Sequence, residues 1–253
     1  MLKYEIEADE KFSSFTRNIK NEFDTSNDLI HNARNKIKIL QADDVSVVVK
    51  SYKVPSLFNK IVYSFLRKPK AYRAYHYAIK LEELNVNTAK AYAYICFYKN
   101  YLLDQSYFVC ENIEYDFTMK RVFDDDTLEG HDDILVSFGE FTRSIHDKDV
   151  EHKDYSPGNI LVKKSDNGYK FSIIDINRMK FGAMSFEQRM ANLSKLWTSE
   201  DNIRLISKGY CLGSDIDEDL VYEKIYTNNK NNKKMKLLKK KMKIILGLYK
   251  EKG

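Results

Sequence analysis

One segment of the chain carries side chains of the types that phosphoryl transfer requires. From His152 to Asn159 the sequence reads H-x-D-x-x-x-x-N, and a later apolar run ends at Asp175. An acid at Asp154 can accept the proton of an acceptor hydroxyl, and the oxygens of Asn159 and Asp175 can hold a metal ion against nucleotide phosphates. This combination indicates a phosphotransferase with a kinase-type catalytic loop.

Local elements must bring these side chains together. Pro157-Gly158 is typical of a turn, which places the acid and the amide in one loop. Apolar runs at 160–162 and 171–174 predict two short strands joined by a polar turn at 165–168. The hairpin would return Asp175 to a position beside the loop. Two other chemistries are excluded, since the phospholipase D motif is absent and the cysteines are too scattered for a zinc site.

A nucleotide-binding lysine is expected at the end of a strand upstream. The Val-rich run 45–50 predicts such a strand, and kinases place the lysine that holds the α- and β-phosphates there. Lys50 is therefore the preferred candidate, and Lys53 is the alternative. Glu111 and Ile113 follow a later strand, where the hinge of a kinase would bind the adenine.

The order of predicted elements is that of an α+β chain with a small sheet-based N-lobe, containing one or two helices, and a mainly helical C-lobe. We predict an N-lobe at 1–112, a C-lobe at 113–226 and a basic amphipathic helix at 227–253. Predicted strands cover 36–40, 45–50, 91–97 and 106–110, and predicted helices cover 57–66, 72–84, 131–146, 186–197 and 217–226. In the first thirty residues, Phe12, Phe15 and Phe23 are the candidate core anchors.

Composition places the chain among folded proteins of a reducing compartment. The 253 residues are 43% hydrophobic, which supplies a buried core. Three widely spaced cysteines predict reduced thiols rather than disulfides, as in the cytoplasm. Residues 1–7 show no signal-peptide pattern, and no apolar run is long enough to cross a bilayer. We therefore expect a cytoplasmic protein that is soluble or peripheral.

Two features of a protein kinase are missing. All nine glycines lie at position 130 or later, so no glycine-rich phosphate loop precedes Lys50. The nearest candidate is the turn at 32–35, where Arg34 would either contact phosphate or be an ordinary surface arginine. His76 stands where the acidic partner of the lysine is expected. These departures keep a pseudokinase open as an interpretation.

Several segments together resemble a known family, the lipopolysaccharide kinases of the Kdo kinase/WaaP/InaA group. The resemblance runs from about 35 to 181 and rests on Lys50–Pro55, Lys70–Tyr75, His152–Leu161 and Ile174–Phe181. Its most specific parts are the loop at 154–159 and the motif D-I-N-R-M that begins at Asp175, which replaces the Asp-Phe-Gly of protein kinases and argues against a protein substrate. Members often carry Glu where this chain has His76.

The resemblance implies a protein-kinase-like, two-lobed fold and the use of ATP and Mg²⁺. By the same resemblance Asp154 is the catalytic base, Asn159 and Asp175 are the magnesium ligands, and Lys50 is the phosphate-binding lysine. The implied acceptor is a Kdo or heptose hydroxyl of the lipopolysaccharide inner core, at the inner face of the inner membrane. The alternatives are a small-molecule kinase of the aminoglycoside or choline type and a membrane-associated pseudokinase scaffold.

The charge of the chain is concentrated at its end. Residues 226–253 contain ten Lys and one Glu, whereas residues 1–225 carry 32 basic and 36 acidic side chains. In the tail, lysines flank an apolar stripe formed by Met235, Leu238, Met242, Ile245 and Tyr249. This pattern fits either an anionic membrane surface or a helix docked on the C-lobe. Nucleic acid is not expected as a partner, because the tail lacks arginine and interleaved aromatics.

A second basic cluster lies in the predicted N-lobe and comprises Arg67, Lys68, Lys70 and Arg73. It is equally compatible with anionic core sugars, with a membrane and with solvent.

Overall fold

The computed structural model describes residues 2–27, 29–32 and 35–245. The chain divides into two compact units. Unit 1 comprises Met1–Glu114 and Ser172–Arg178, and unit 2 comprises Tyr115–Phe171 and Met179–Gly253. The division after Glu114 lies two residues beyond the predicted lobe boundary. The short segment at 172–178 belongs to unit 1, a return of the chain that the sequence did not indicate.

Unit 1 is built on an antiparallel sheet of six strands. In spatial order these are β1 (Leu2–Ala8), β5 (Ala91–Lys99), β6 (Leu102–Glu111), β4 (Val45–Tyr52), β3 (Lys36–Ala42) and β2 (Leu29–Asn32). The strands predicted at 36–40, 45–50, 91–97 and 106–110 are confirmed as parts of β3 to β6. Their side chains alternate between the two faces of the sheet, and one face packs into a hydrophobic core.

Two short helices, α1 (Ser13–Arg17) and α2 (Ile19–Thr25), contribute to that core. Phe12, Ile19 and Phe23 are buried there against Val49 and Tyr107 of the sheet. The anchoring role predicted for the early phenylalanines is thus confirmed. The helices themselves and β1 were not predicted, because polar residues separate the few apolar ones.

Beyond β4 the chain forms α3 (Leu57–Ile61), a π-helical turn (Val62–Leu66) and α4 (Lys70–Glu83). The helix predicted at 57–66 is confirmed, but its apolar residues do not enter a core. Leu57, Phe58, Phe65 and Leu66 are each more than two-thirds exposed. Helical periodicity reveals an apolar face and not the surface that this face covers.

Unit 2 is mainly helical. Its helices are α5 (Met119–Asp124), α6 (His131–Asp147), α7 (Phe186–Leu193), α8 (Glu200–Cys211) and α9 (Glu218–Ile245). Its strands are β7 (Phe117–Thr118), β8 (Val150–His152), β9 (Ile160–Ser165), β10 (Gly168–Ile173, whose last two residues belong to unit 1) and β11 (Met179–Phe181). The hairpin and the helix predicted at 131–146 are confirmed. The helix predicted at 186–197 corresponds to α7 and a 3₁₀ turn at Ser194–Leu196.

The core of unit 2 depends on a close approach of α6 and α8. A Cβ at Gly209 would lie 1.8 Å from the carbonyl oxygen of Val136, and one at Gly139 would lie 2.2 Å from that of Ile206. Only glycine permits this approach. Helix α8 was not predicted, because its buried face includes polar and small residues such as Asn202 and Ser207.

Helix α9 runs without interruption through the predicted boundary at 226/227. Its first part is docked by Val221, Tyr222 and Ile225, which are buried. In its second part Met235, Leu238 and Met242 are exposed, so these three do not dock on unit 2. The side chain of Ile245 and all of Tyr249, which complete the predicted stripe, lie outside the described residues. None of the helices described here has the length and apolar character needed to traverse a bilayer.

Candidate active site

The loop from His152 to Asn159 is held closed by its own hydrogen bonds. The backbone N–H of Asp154 donates to His152 Nδ1 at 3.1 Å, and the side-chain nitrogen of Asn159 donates to the carbonyl oxygen of Asp154 at 2.9 Å. The N–H of Ser156 donates to the same carbonyl at 2.8 Å. Asp154 and Asn159 therefore share one rigid loop, as Pro157-Gly158 predicted. The Asn159 nitrogen is engaged, and its oxygen Oδ1 is the atom that can bind a metal.

A series of buried, hydrogen-bonded side chains supports this loop. The side-chain nitrogen of Asn192 donates to the carbonyl oxygen of His152 at 3.0 Å, and Asn192 Oδ1 lies 3.1 Å from His146 Nε2. Since Asn192 Oδ1 can only accept, His146 Nε2 must donate. His146 Nδ1 then accepts from the hydroxyl of Tyr210 at 3.0 Å. Sequence reasoning missed His146 and Asn192, because each stands alone on a helix without a motif.

This arrangement requires a neutral His146, and it predicts a loss of stability in acid. Burial lowers the pKa of His146 to about 4, whereas an unfolded histidine has a pKa of about 6.5. The unfolded state therefore binds the proton first, and stability is lost as the pH falls from about 6.5 to about 4. The linkage amounts to roughly 3 kcal/mol at most.

Urea unfolding between pH 7 and pH 4 measures this effect, with His146→Gln as the comparison. We expect the wild-type free energy of unfolding to fall more steeply than that of the variant. Parallel pH profiles would contradict the assignment.

Three charged residues lie close to Asp154. Glu151 is buried and accepts from Lys153 at 2.5 Å, with Lys195 at 3.5 Å. Burial alone would raise the pKa of Glu151, but the two lysines lower it overall. Burial lowers the pKa of Lys195, and the charges of Glu151 and Asp154 oppose that shift. Lys195 was not predicted, because it lies far along the chain from the loop.

In unit 1, Lys50 forms an ion pair with Asp175. The lysine is on the central strand β4, opposite Phe108 of β6, and its side chain is largely buried. Lys53 lies beyond the end of the strand and is exposed. The structure thus brings Lys50, and not the alternative Lys53, to the predicted metal ligand.

Asp175 is positioned by contacts within unit 1. Thr88 Oγ1 donates to the carbonyl oxygen of Ile173 at 2.7 Å, and the Ile173 N–H donates to the carbonyl oxygen of Asn87 at 3.0 Å. Asp175 itself has a left-handed backbone, with φ of 57°. Asn177 donates to Asp175 Oδ1 at 2.6 Å. A left-handed backbone such as that of Asp175 is uncommon outside glycine, and it is typical of residues whose side-chain direction matters.

His76 does not face Lys50. Its Nε2 lies 3.5 Å from Glu7 Oε2 without forming a hydrogen bond, and its ring packs 4.0 Å from that of Tyr72. The side chain is therefore directed toward β1 and β5. The acidic partner of Lys50 in this structure is Asp175.

The hinge candidates lie at the end of β6. The N–H of Glu111 donates to the carbonyl oxygen of Lys90 at 2.9 Å, and Glu111 Oε2 accepts from the Lys90 N–H at 3.2 Å. Ile113 follows in irregular, partly buried backbone. Both remain predicted adenine contacts. The predicted phosphate-contacting turn at 32–35 lies largely outside the described residues, which leave out the side chain of Asn32 and all of Ala33 and Arg34.

The predicted metal ligands are chemically suited to magnesium. Asp175 offers a carboxylate and Asn159 an amide oxygen, and magnesium is held by a few such oxygens together with substrate phosphates. Within the described part of the chain, no group of three His, Cys, Asp or Glu side chains could hold a metal by itself.

An antiparallel sheet with a buried lysine paired to Asp175, and a helical unit with a closed H-x-D-x-x-x-x-N loop, define a phosphotransferase of protein-kinase-like fold. Residues 28–210 match the model of the lipopolysaccharide kinase (Kdo/WaaP) family. The chain belongs to this family.

A solved structure described as "WaaP in complex with acyl carrier protein" has the same fold, with a TM-score of 0.61 and 15% sequence identity. The alignment covers 90% of this chain and 98% of that one. No curated protein sequence matches the chain.

Proposed function

We propose that the protein transfers the γ-phosphate of ATP to a Kdo or heptose hydroxyl of the lipopolysaccharide inner core. The observation that carries this proposal is the hydrogen-bonded loop of Asp154 and Asn159 in a chain of the lipopolysaccharide kinase family. Family membership also favours a core sugar over the soluble amines used by aminoglycoside or choline kinases.

Asp154 acts as the general base in this proposal. The bonds from its N–H to His152 and from Asn159 and Ser156 to its carbonyl fix the backbone that carries the carboxylate. A base held in this way orients the acceptor hydroxyl and takes its proton as the oxygen attacks phosphorus.

Lys50 holds the α- and β-phosphates of the nucleotide, and Glu111 and Ile113 contact the adenine. The ion pair with Asp175 directs the Lys50 ammonium toward the residue that would hold magnesium. Asn159 and Asp175 are the proposed ligands of that ion, which offsets charge on the phosphates when it is bound. Asn177 maintains the orientation of the Asp175 carboxylate through its hydrogen bond.

Contact with the cytoplasmic membrane surface is part of the proposal. Met235, Leu238 and Met242 are exposed on α9 between lysines. A second exposed apolar surface, on α3 and the π-helical turn, is followed by Lys68. Apolar side chains accompanied by cations suit an anionic bilayer. Confinement to the surface would raise the effective concentration of a lipid-linked acceptor.

A pseudokinase is the second candidate, and two observations favour it. The chain has no glycine before position 130, and His76 stands where the acidic partner of Lys50 was expected. Nucleotide binding with and without magnesium distinguishes the candidates, since an active kinase binds far better with the metal.

The proposal is tested by mass analysis of lipopolysaccharide from cells that lack the protein. We expect the inner core to lose one phosphate, and expression of the wild-type chain to restore it. An unchanged phosphate content would contradict the proposed acceptor.

A further inference from the structure

Unit 1 contains a cavity of about 420 Å³ whose wall is strongly basic. It lies among the end of β4, helix α3 with its π-helical turn, the start of α4, and Asn177. Five of its lining residues are cationic, namely Lys53, Arg67, Lys70, Arg73 and Arg178. None of the lining residues that the structure describes is acidic. The wall therefore carries an excess of positive charge.

Arg73 is the most informative of these residues. It is only 7% exposed, and its Nε has no hydrogen-bond partner. Burial lowers the pKa of Arg73, and the charge of Arg67 lowers it further. A buried guanidinium with an unsatisfied donor is unfavourable, and an anion in the cavity that Arg73 lines would offset its positive charge.

The position of these cations along α4 is also unfavourable without an anion. Lys70 and Arg73 lie in the first turn of this helix, which has no acidic residue there. The amino-terminal end of a helix carries partial positive charge and is destabilised by cations. An anion at this end would interact favourably with both the side chains and the helix dipole.

We propose that the cavity binds a phosphate monoester through Arg73, Arg67 and Lys70. Several cations facing one space suit a dianion better than a single carboxylate, and guanidinium groups bind phosphate oxygens in pairs. The volume accommodates a phosphate together with part of the molecule that bears it. None of these three residues is assigned to the nucleotide or to deprotonation of the acceptor, so the site does not depend on the proposed function.

An anion bound in this cavity would lie close to a residue that contacts Asp175. Asn177 and Arg178 form part of the cavity wall, and Asn177 donates to the Asp175 carboxylate at 2.6 Å. A bound phosphate would therefore lie near Asn177, whose side chain is hydrogen-bonded to the proposed metal ligand Asp175.

Calorimetric titration of the full chain with inorganic phosphate, at constant ionic strength, tests the site. We expect Arg73→Met and Arg67→Gln each to weaken phosphate binding by about tenfold or more, because each removes a charged donor. Lys80→Gln is the matched control on the exposed part of α4 and should bind phosphate as the wild type does.

A thermal unfolding series separates this site from a structural role for Arg73. Without phosphate, Arg73→Met should unfold at the wild-type temperature or above, since an unsatisfied buried charge is removed. With phosphate, only the wild type and Lys80→Gln should gain stability. Undiminished phosphate binding in both arginine variants, or an equal loss in Lys80→Gln, would overturn the proposal. So would complete displacement of phosphate by a non-hydrolysable ATP analogue.

The source of the phosphate is resolved by comparing probes. Tighter binding of a sugar phosphate than of inorganic phosphate would identify an ester carried on a glycan, whereas equal binding would identify free phosphate. Both results support the site, and binding of neither probe would contradict it.

Discussion

Replacement of Asp154 by Asn is expected to lower the rate of phosphoryl transfer by about a hundredfold to ten-thousandfold, the usual contribution of a general base. The amide has nearly the shape of the carboxylate but cannot take the proton of the acceptor. The loop should remain intact, because its bonds to His152 and Asn159 use backbone atoms of residue 154. Turnover of ATP with a lipid A–core acceptor measures the effect.

The matched control is Asp166→Asn, which makes the same chemical change at an exposed position in the turn between β9 and β10. It should leave turnover unchanged. Nucleotide affinity should be similar in the wild type and both variants, since neither aspartate is assigned to the nucleotide. Equal turnover in Asp154→Asn and the wild type would rule out Asp154 as the base.

The second large effect is expected for Asp175→Ala. This change removes a proposed magnesium ligand and leaves the largely buried Lys50 without its ion-pair partner. We expect turnover to fall by about a hundredfold or more, as when a preorganised electrostatic contact to the transferred group is lost. Nucleotide binding should also lose most of its dependence on magnesium.

Fluorescence titration with a labelled ATP analogue, with and without magnesium, measures that dependence, and Asp166→Ala is the control. A variant that still binds nucleotide much better with the metal would show that Asp175 is not the ligand. A wild-type protein indifferent to magnesium would instead favour the pseudokinase interpretation.

The sequence predicted the parts of the site that local chemistry determines. Pro157-Gly158 and the flanking apolar runs specified the loop and hairpin, since turn residues and strand alternation act over a few neighbours. The same reasoning preferred Lys50 to Lys53, and the structure pairs Lys50 with Asp175.

Features that depend on distant segments were not predictable. His146 and Asn192 support the loop through a buried chain that joins three helices and a strand. The close approach of α6 and α8 depends on Gly139 and Gly209, which are seventy residues apart in the sequence. Neither feature has a local pattern, because each exists only after the helices have packed.

The basic cluster at 67–73 illustrates the same limit. Composition identified its positive charge but left sugar, membrane and solvent as equal interpretations. The structure distinguishes its members, because Arg67, Lys70 and Arg73 line a cavity and Arg73 is buried there, whereas Lys68 is exposed. The sequence did not reveal the burial of Arg73. This burial is the observation that leads to a specific phosphate site.

The most direct test of the proposed function is transfer of labelled γ-phosphate from ATP to purified lipid A–core that lacks the inner-core phosphate. Wild-type protein with magnesium is predicted to add one phosphate to a Kdo or heptose residue, and Asp154→Asn is predicted to add almost none. Absence of transfer to the glycolipid by wild-type protein, or efficient phosphorylation of soluble amines instead, would contradict the account.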